Sequence, residues 1–134
     1  MSTTSSKCIL VVDDEDAIRD VIAETLELEG YRVEKAADGN AALAMVKATQ
    51  PDAIVLDLMM PGMDGWTFLK VCRRDDLCSC TPIMVMSAYR KLGEATRDLH
   101  VQACLEKPFD LDVFLRAIER LLRAAPVARP RFGF

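Results

Sequence analysis

Five polar residues carry most of the chemical promise of this 134-residue chain, because each stands at or just past the end of an apolar run. Asp13 and Asp14 follow Cys8 to Val12, Asp57 follows Ala53 to Leu56, Ser87 follows Pro82 to Met86, and Lys107 stands two residues past Ala103 to Leu105. Three carboxylates brought together repel one another, and their charged forms need a compensating cation. A hard divalent ion suits them. Mg2+ takes a few carboxylate oxygens together with water and phosphate oxygens, whereas zinc favours softer ligands. Lys107 then supplies a point charge for one phosphoryl oxygen and the Ser87 hydroxyl a hydrogen bond for another. Asp57 is left as the nucleophile, since a carboxylate accepts a phosphoryl group as an acyl phosphate. Acidic residues at strand ends also cap helices, a role open to Asp14. That reading suffices for one aspartate but not for all five residues together.

Such a site needs elements that bring those positions to one edge. Apolar runs alternate with helical patterns along the whole chain, which predicts repeated strand-helix units and a parallel sheet. Strands are expected at Cys8 to Val12, Tyr31 to Ala36, Ala53 to Leu56, Pro82 to Met86 and around Ala103 to Leu105. The uninterrupted apolar character of the first and third suits strands covered on both faces. The first helix is expected from Glu15 to Glu29, with Asp14 as N-cap, a stripe at Ile18, Val21, Ile22 and Leu26, and Gly30 at its end. A short helix carries Leu43, Met45 and Val46; a third starts near Asp64 and turns Phe68, Leu69 and Cys72 inward. A weakly amphipathic helix from Lys91 to Leu99 follows. The last runs from Asp110 to Arg123, with Val113, Phe114, Ala117, Ile118, Leu121 and Leu122 at helical spacing. Five strands and five helices make an open α/β sheet, and in such sheets ligands bind beyond the carboxyl ends of the strands.

Composition narrows the function classes. Hydrophobic residues are 51% and charged residues 28%, which argues against disorder and coiled coil. The net charge is −4 and the basic residues are scattered, so no cationic face is expected to neutralise nucleic-acid phosphates. No apolar run approaches the ~20 residues that span a bilayer, so no membrane insertion is expected. Five cysteines without scaffold density, and an MSTTSSK start without a signal-peptide core, point to the cytoplasm. Residues 1–6 read as a flexible N-terminus, 7–123 as one domain, and 124–134 as a Pro/Arg-rich tail or linker stub.

The motifs ILVVDDE from Ile9, LDLMMPGMDG from Leu56, MSA from Met86 and KPF from Lys107, with the smaller GYRV and ADGNAAL, are similar to those of the receiver domain of bacterial two-component response regulators. The resemblance runs from about Lys7 to Arg123. It implies a flavodoxin-like fold of strand order 2-1-3-4-5 and phosphorylation of Asp57 by a sensor histidine kinase or phosphotransfer protein. It also implies Mg2+ held by Asp14, Asp57 and the backbone carbonyl of Met59, with Asp13 acting through water. Lys107 would reach the phosphoryl group, and Ser87 would move toward it to signal. The family usually has a cis bond before Pro108, which is expected here.

The departures are informative. The family commonly has an aromatic residue three positions before the lysine, where Cys104 stands, so the phosphate-dependent change is expected in residues 87–101 rather than at Cys104. His100, where a glycine often ends the fourth helix, reads as a surface histidine. Met59, Met60 and Met63 flank the loop after Asp57 and read as packing or shielding residues. The stretch CRRDDLCSC lacks a fourth ligand at regular spacing, so Cys72 reads as core and Cys78 and Cys80 as loop residues rather than as a zinc site. The functional expectation is a phosphorylation-switched signalling module that acts by binding a partner and is not an enzyme beyond autophosphorylation and slow autodephosphorylation. The alternative is a receiver-like interaction module indifferent to phosphate. A flavin protein would need a Ser/Thr/Gly-rich loop after the first strand, and a haloacid-dehalogenase-like phosphatase an acid two residues after Asp57; this chain has neither.

Overall fold

The computed structural model describes residues 7–60, 63–78, 80–88 and 101–123. Five parallel strands form one sheet: β1 (Cys8–Val12), β2 (Arg32–Ala36), β3 (Ala53–Asp57), β4 (Ile83–Ser87) and β5 (Ala103–Glu106), in the order β2-β1-β3-β4-β5. The four described helices are α1 (Asp16–Leu28), α2 (Gly39–Thr49), α3 (Gly65–Arg74) and α4 (Leu111–Arg123). This is the flavodoxin-like order. The helix expected at Lys91 to Leu99, His100, the N-terminus and the tail lie outside the described residues, as does most of the segment expected to respond to phosphate.

Every residue of β1, β3 and β4 is buried, as central strands covered on both faces require, while the edge strands are more open: β5 alternates, and in β2 only Ala36 is buried. Side-chain alternation splits the core in two. Leu10, Val12, Ile54, Leu56 and Val85 pack under α2 and α3 with Val46, Phe68 and Leu69; Ile9, Val11, Val55, Met84 and Met86 face Ile22, Leu26, Phe114 and Ile118 of α1 and α4.

Three local expectations need correction or refinement. The N-cap of α1 is Glu15, not Asp14, and no side chain caps that end; instead Asp13 Oδ1 accepts the Glu15 N–H at 2.9 Å. Asp14 is therefore not spent on the helix. Gly30, at φ 97°, lies one residue past the α1 cap, a left-handed position that glycine adopts without a Cβ penalty. The third correction concerns Cys78, which is buried and joined to Cys72 by a disulfide. Asp76 takes a left-handed backbone at φ 59°, and the N–H groups of Leu77 and Cys78 both return to the Cys72 carbonyl at the end of α3. That reversal brings the two Cα atoms to 5.4 Å, the ordinary span of a disulfide. Cys72 is a core residue as expected.

Candidate functional site

All the polar residues at strand ends do meet at one edge. In the sheet register Asp57 is level with Met86, and Ser87 with Glu106, while the Leu58 N–H reaches the Met86 carbonyl at 3.1 Å and the Lys107 N–H reaches the Ser87 carbonyl at 2.9 Å. The sheet ladder thus continues one step past the strands and fixes Asp57, Ser87 and Lys107 side by side.

Asp13, Asp14 and Asp57 each place a carboxylate oxygen within 4.8 Å of the others, and they are the one such group among the described residues. Asp13 and Asp57 are buried and Asp14 is half-buried, so the cluster opens to solvent on the Asp14 side. Lys107 Nζ bridges the two buried acids, 3.3 Å from Asp13 Oδ2 and 3.6 Å from Asp57 Oδ2. One ammonium against three carboxylates leaves the cluster short of positive charge. Burial accordingly pushes the Asp57 carboxyl up to about 6, against the pull of the Met59 N–H and Lys107 and with help from Asp13 and Asp14. An all-oxygen acidic cluster open on one side is the donor set that fits a hard divalent cation.

The loop after β3 is held by close backbone packing. The Met59 N–H donates to Asp57 Oδ1 at 3.1 Å, and the Gly65 N–H closes the loop on the Leu58 carbonyl at 3.0 Å. A Cβ on Gly65 would fall 2.6 Å from Leu58 Cα and 2.7 Å from the Asp57 carbonyl oxygen, so only glycine permits α3 to start this close to the site. The Asp64 carboxylate then caps α3 through the Thr67 N–H. Of the three methionines, Met60 and Met63 pack on the core, whereas Met59 is 62% exposed at the mouth of the site. Ser87 is buried, and Cys104 on the edge strand is exposed. The Lys107-Pro108 bond is cis, as expected.

Two contributors are not evident from motif reading. Arg19 Nη1 donates to the Asp13 carbonyl at 2.9 Å while its Nη2 holds Asp16, so α1 grips the loop that carries both acids. The only signal for it is the i,i+3 spacing of Asp16 and Arg19. Gly39, at the start of α2, packs on the Met63 backbone and side chain, where a Cβ would come within 2.8 Å.

A parallel sheet in this order with three acids, a buried serine and a lysine at its carboxyl edge defines a receiver-type fold. Residues 9–119 match the response regulator receiver domain family, and the chain belongs to it. It is 37% identical over 117 residues to the "DNA-binding dual master transcriptional regulator RpaA" of Synechocystis, covering 86% of this chain and 48% of that protein. It is 43% identical over 122 residues to "Response regulator MprA" of Mycobacterium tuberculosis, covering 86% of this chain and 50% of that one. The chain thus spans about half the length of the curated relatives it matches. Among solved structures, Vibrio cholerae chemotaxis protein CheY4 superposes with a TM-score of 0.82 at 32% identity, covering 88% of this chain and all of that one. The Thermotoga maritima response regulator TrrA, in complex with Mg2+ and BeF, superposes with a TM-score of 0.77 at 30% identity, covering 87% and 99%. Phosphorylation-switched two-component signalling is the general function of this family, and its acidic pocket binds Mg2+.

Proposed function

We propose that Asp57 is the phosphoacceptor of this chain and that it receives the phosphoryl group from a phosphohistidine on a sensor kinase or phosphotransfer protein. The observation that carries the reading is the convergence of Asp13, Asp14, Asp57 and Lys107 within one small, one-sided pocket. An Asp57 carboxylate oxygen bonds to phosphorus as the phosphorus–nitrogen bond of the donor breaks, and the imidazole leaves with the electron pair. Asp13, Asp14, Asp57 and the Met59 carbonyl would hold Mg2+, which neutralises charge on the transferring group when bound. Lys107, poised between Asp13 and Asp57, would reach a phosphoryl oxygen of the transferring group. Ser87, one residue past Met86, the register partner of Asp57, supplies the hydroxyl that reads the phosphorylated state.

The donor's landing place is supported by a second feature. An apolar hollow of about 360 Å3 lies against Lys107, formed by Ile18, Val21 and Ile22 of α1 with Pro108, Phe109 and Leu111. Val21 and Leu111 are exposed there, an arrangement suited to an amphipathic helix of a cytoplasmic donor protein. The chain itself is a relay and not an enzyme in any further sense.

Treatment with acetyl phosphate and Mg2+, followed by intact mass, tests the reading. One added phosphoryl group that is lost in Asp57→Asn or in excess chelator supports it; labelling that persists in the variant or in chelator refutes it. Absence of any labelling in the wild type favours an interaction module indifferent to phosphate.

A further inference from the structure

The stretch of cysteines that the phosphoacceptor site leaves unused lies at the opposite edge of the sheet. Cys72 ends α3 in the core, whereas Cys78 and Cys80 precede β4, at the amino ends of the strands. A cavity of about 320 Å3 opens there, bounded by Gln50 and Pro51 after α2 and by Cys78, Cys80 and Thr81. Half-buried Arg73 faces the same residues: its Nη1 donates to the Cys78 carbonyl, lies 4.0 Å from Cys78 Sγ, and its charge interacts with Cys80. A disulfide, a cavity reaching one of its two cysteines, and a cation beside that sulfur therefore occur together.

We propose that Cys72 and Cys78 form a thiol-exchange site, opened by low-molecular-weight thiols that enter the cavity and attack Cys78. Both cysteines are buried, but Cys78 lines the cavity and Cys72 does not, so Cys78 is the sulfur that the cavity approaches. The incoming thiolate bonds to Cys78 Sγ, the bond to Cys72 breaks, and Cys72 leaves as a thiolate that takes a proton from water. A second thiol attacks the reagent's sulfur in the mixed disulfide and releases Cys78. Two reagent thiols are thereby oxidised to one disulfide, and the protein pair is reduced to two thiols. The Arg73 guanidinium, 4.0 Å from Cys78 Sγ, attracts anionic thiols above neutral ones and favours the Cys78 thiolate released in the second step. Reduction uncouples the turn at Asp76 from the end of α3, and it involves no residue of the Asp57 pocket.

Alkylation in denaturant without reductant, followed by peptide mapping, comes first. The expected result is a linked Cys72–Cys78 pair with Cys8, Cys80 and Cys104 alkylated; alkylation of Cys72 and Cys78, or a different pair, overturns the proposal. The rate of reduction of the folded chain is then followed against thiol concentration, with glutathione as anionic and 2-mercaptoethanol as neutral probe. A rate that rises in proportion to thiol supports direct attack, whereas a rate that plateaus at the unfolding rate shows a crosslink opened only by unfolding and overturns the proposal. Arg73→Gln should slow glutathione about fivefold more than it slows 2-mercaptoethanol, and Arg73→Lys should preserve the preference. Equal slowing of both reagents in Arg73→Gln, or loss of the preference in Arg73→Lys, overturns the role given to the guanidinium.

Discussion

Asp57 should act as a brake on the stability of the metal-free protein, and its removal should release that brake in a pH-dependent way. Its carboxyl lies at about 6 in the fold against an ordinary value of 3.8, because burial disfavours the charged form. The folded state therefore holds this proton to higher pH than the unfolded state does. Below 3.8 the group is neutral in both states and costs nothing. Between 3.8 and about 6 the cost grows with pH, and above that window it is complete. The difference corresponds to about 2 to 3 kcal/mol at neutral pH. Asp57→Asn keeps the shape and accepts the Met59 N–H, so it should raise the unfolding free energy by that amount at pH 7.5 and by almost nothing below pH 4. In urea this is a shift of the midpoint of about 1 to 2 M. Saturating Mg2+ should narrow the gap, because the cation stabilises the wild-type carboxylate and binds the variant less well. A variant that is less stable than the wild type at pH 7.5, or a difference of equal size at pH 4 and 7.5, would refute the reasoning.

Asp14→Ala should lower Mg2+ affinity more than about tenfold, some 1.4 kcal/mol, read as a loss of the Mg2+-dependent rise in Tm, with little change in metal-free Tm because Asp14 does not cap α1. Met59→Asn should shorten the lifetime of the acyl phosphate, since Met59 stands exposed at the mouth of the site; an equal or longer lifetime by intact mass would count against shielding. Gly65→Ala should depress both stability and phosphoryl acceptance, measured by urea titration and labelling, because the added methyl meets Leu58 and the Asp57 backbone. Phe114→Ala, from a fully buried ring stacked 5.8 Å from Phe109, should cost about 3 to 5 kcal/mol in unfolding free energy.

The site was legible because two patterns in the sequence coincide. A central parallel strand must be apolar throughout, so its last residue is marked by the first charge that follows. Asp13 and Asp57 stand at such points, and Lys107 stands just past the end of the edge strand β5. A sheet register that levels the strand ends then turns three separate marks into one pocket. The same logic makes edges harder to read: Tyr31 was expected in β2, yet the strand begins at Arg32, where pairing with β1 starts.

What the sequence left hidden depends on backbone direction rather than on residue type. Composition favours Asp14 as the N-cap, yet Glu15 takes that position without a side-chain cap, and Asp13 bends back to accept its N–H. The pairing of Cys72 with Cys78 depends on Asp76, because spacing along a helix and an extended loop would carry the sulfurs apart. One left-handed residue reverses the chain within a single turn, and aspartate tolerates that conformation without announcing it. The cysteine cluster was therefore read as core plus loop, when its arrangement is closer to a closed staple at the end of α3. This places two kinds of chemistry at opposite ends of the same layer of the core. The staple holds the carboxyl end of α3, while Gly65 and the Asp64 cap hold its amino end against Leu58 and Asp57.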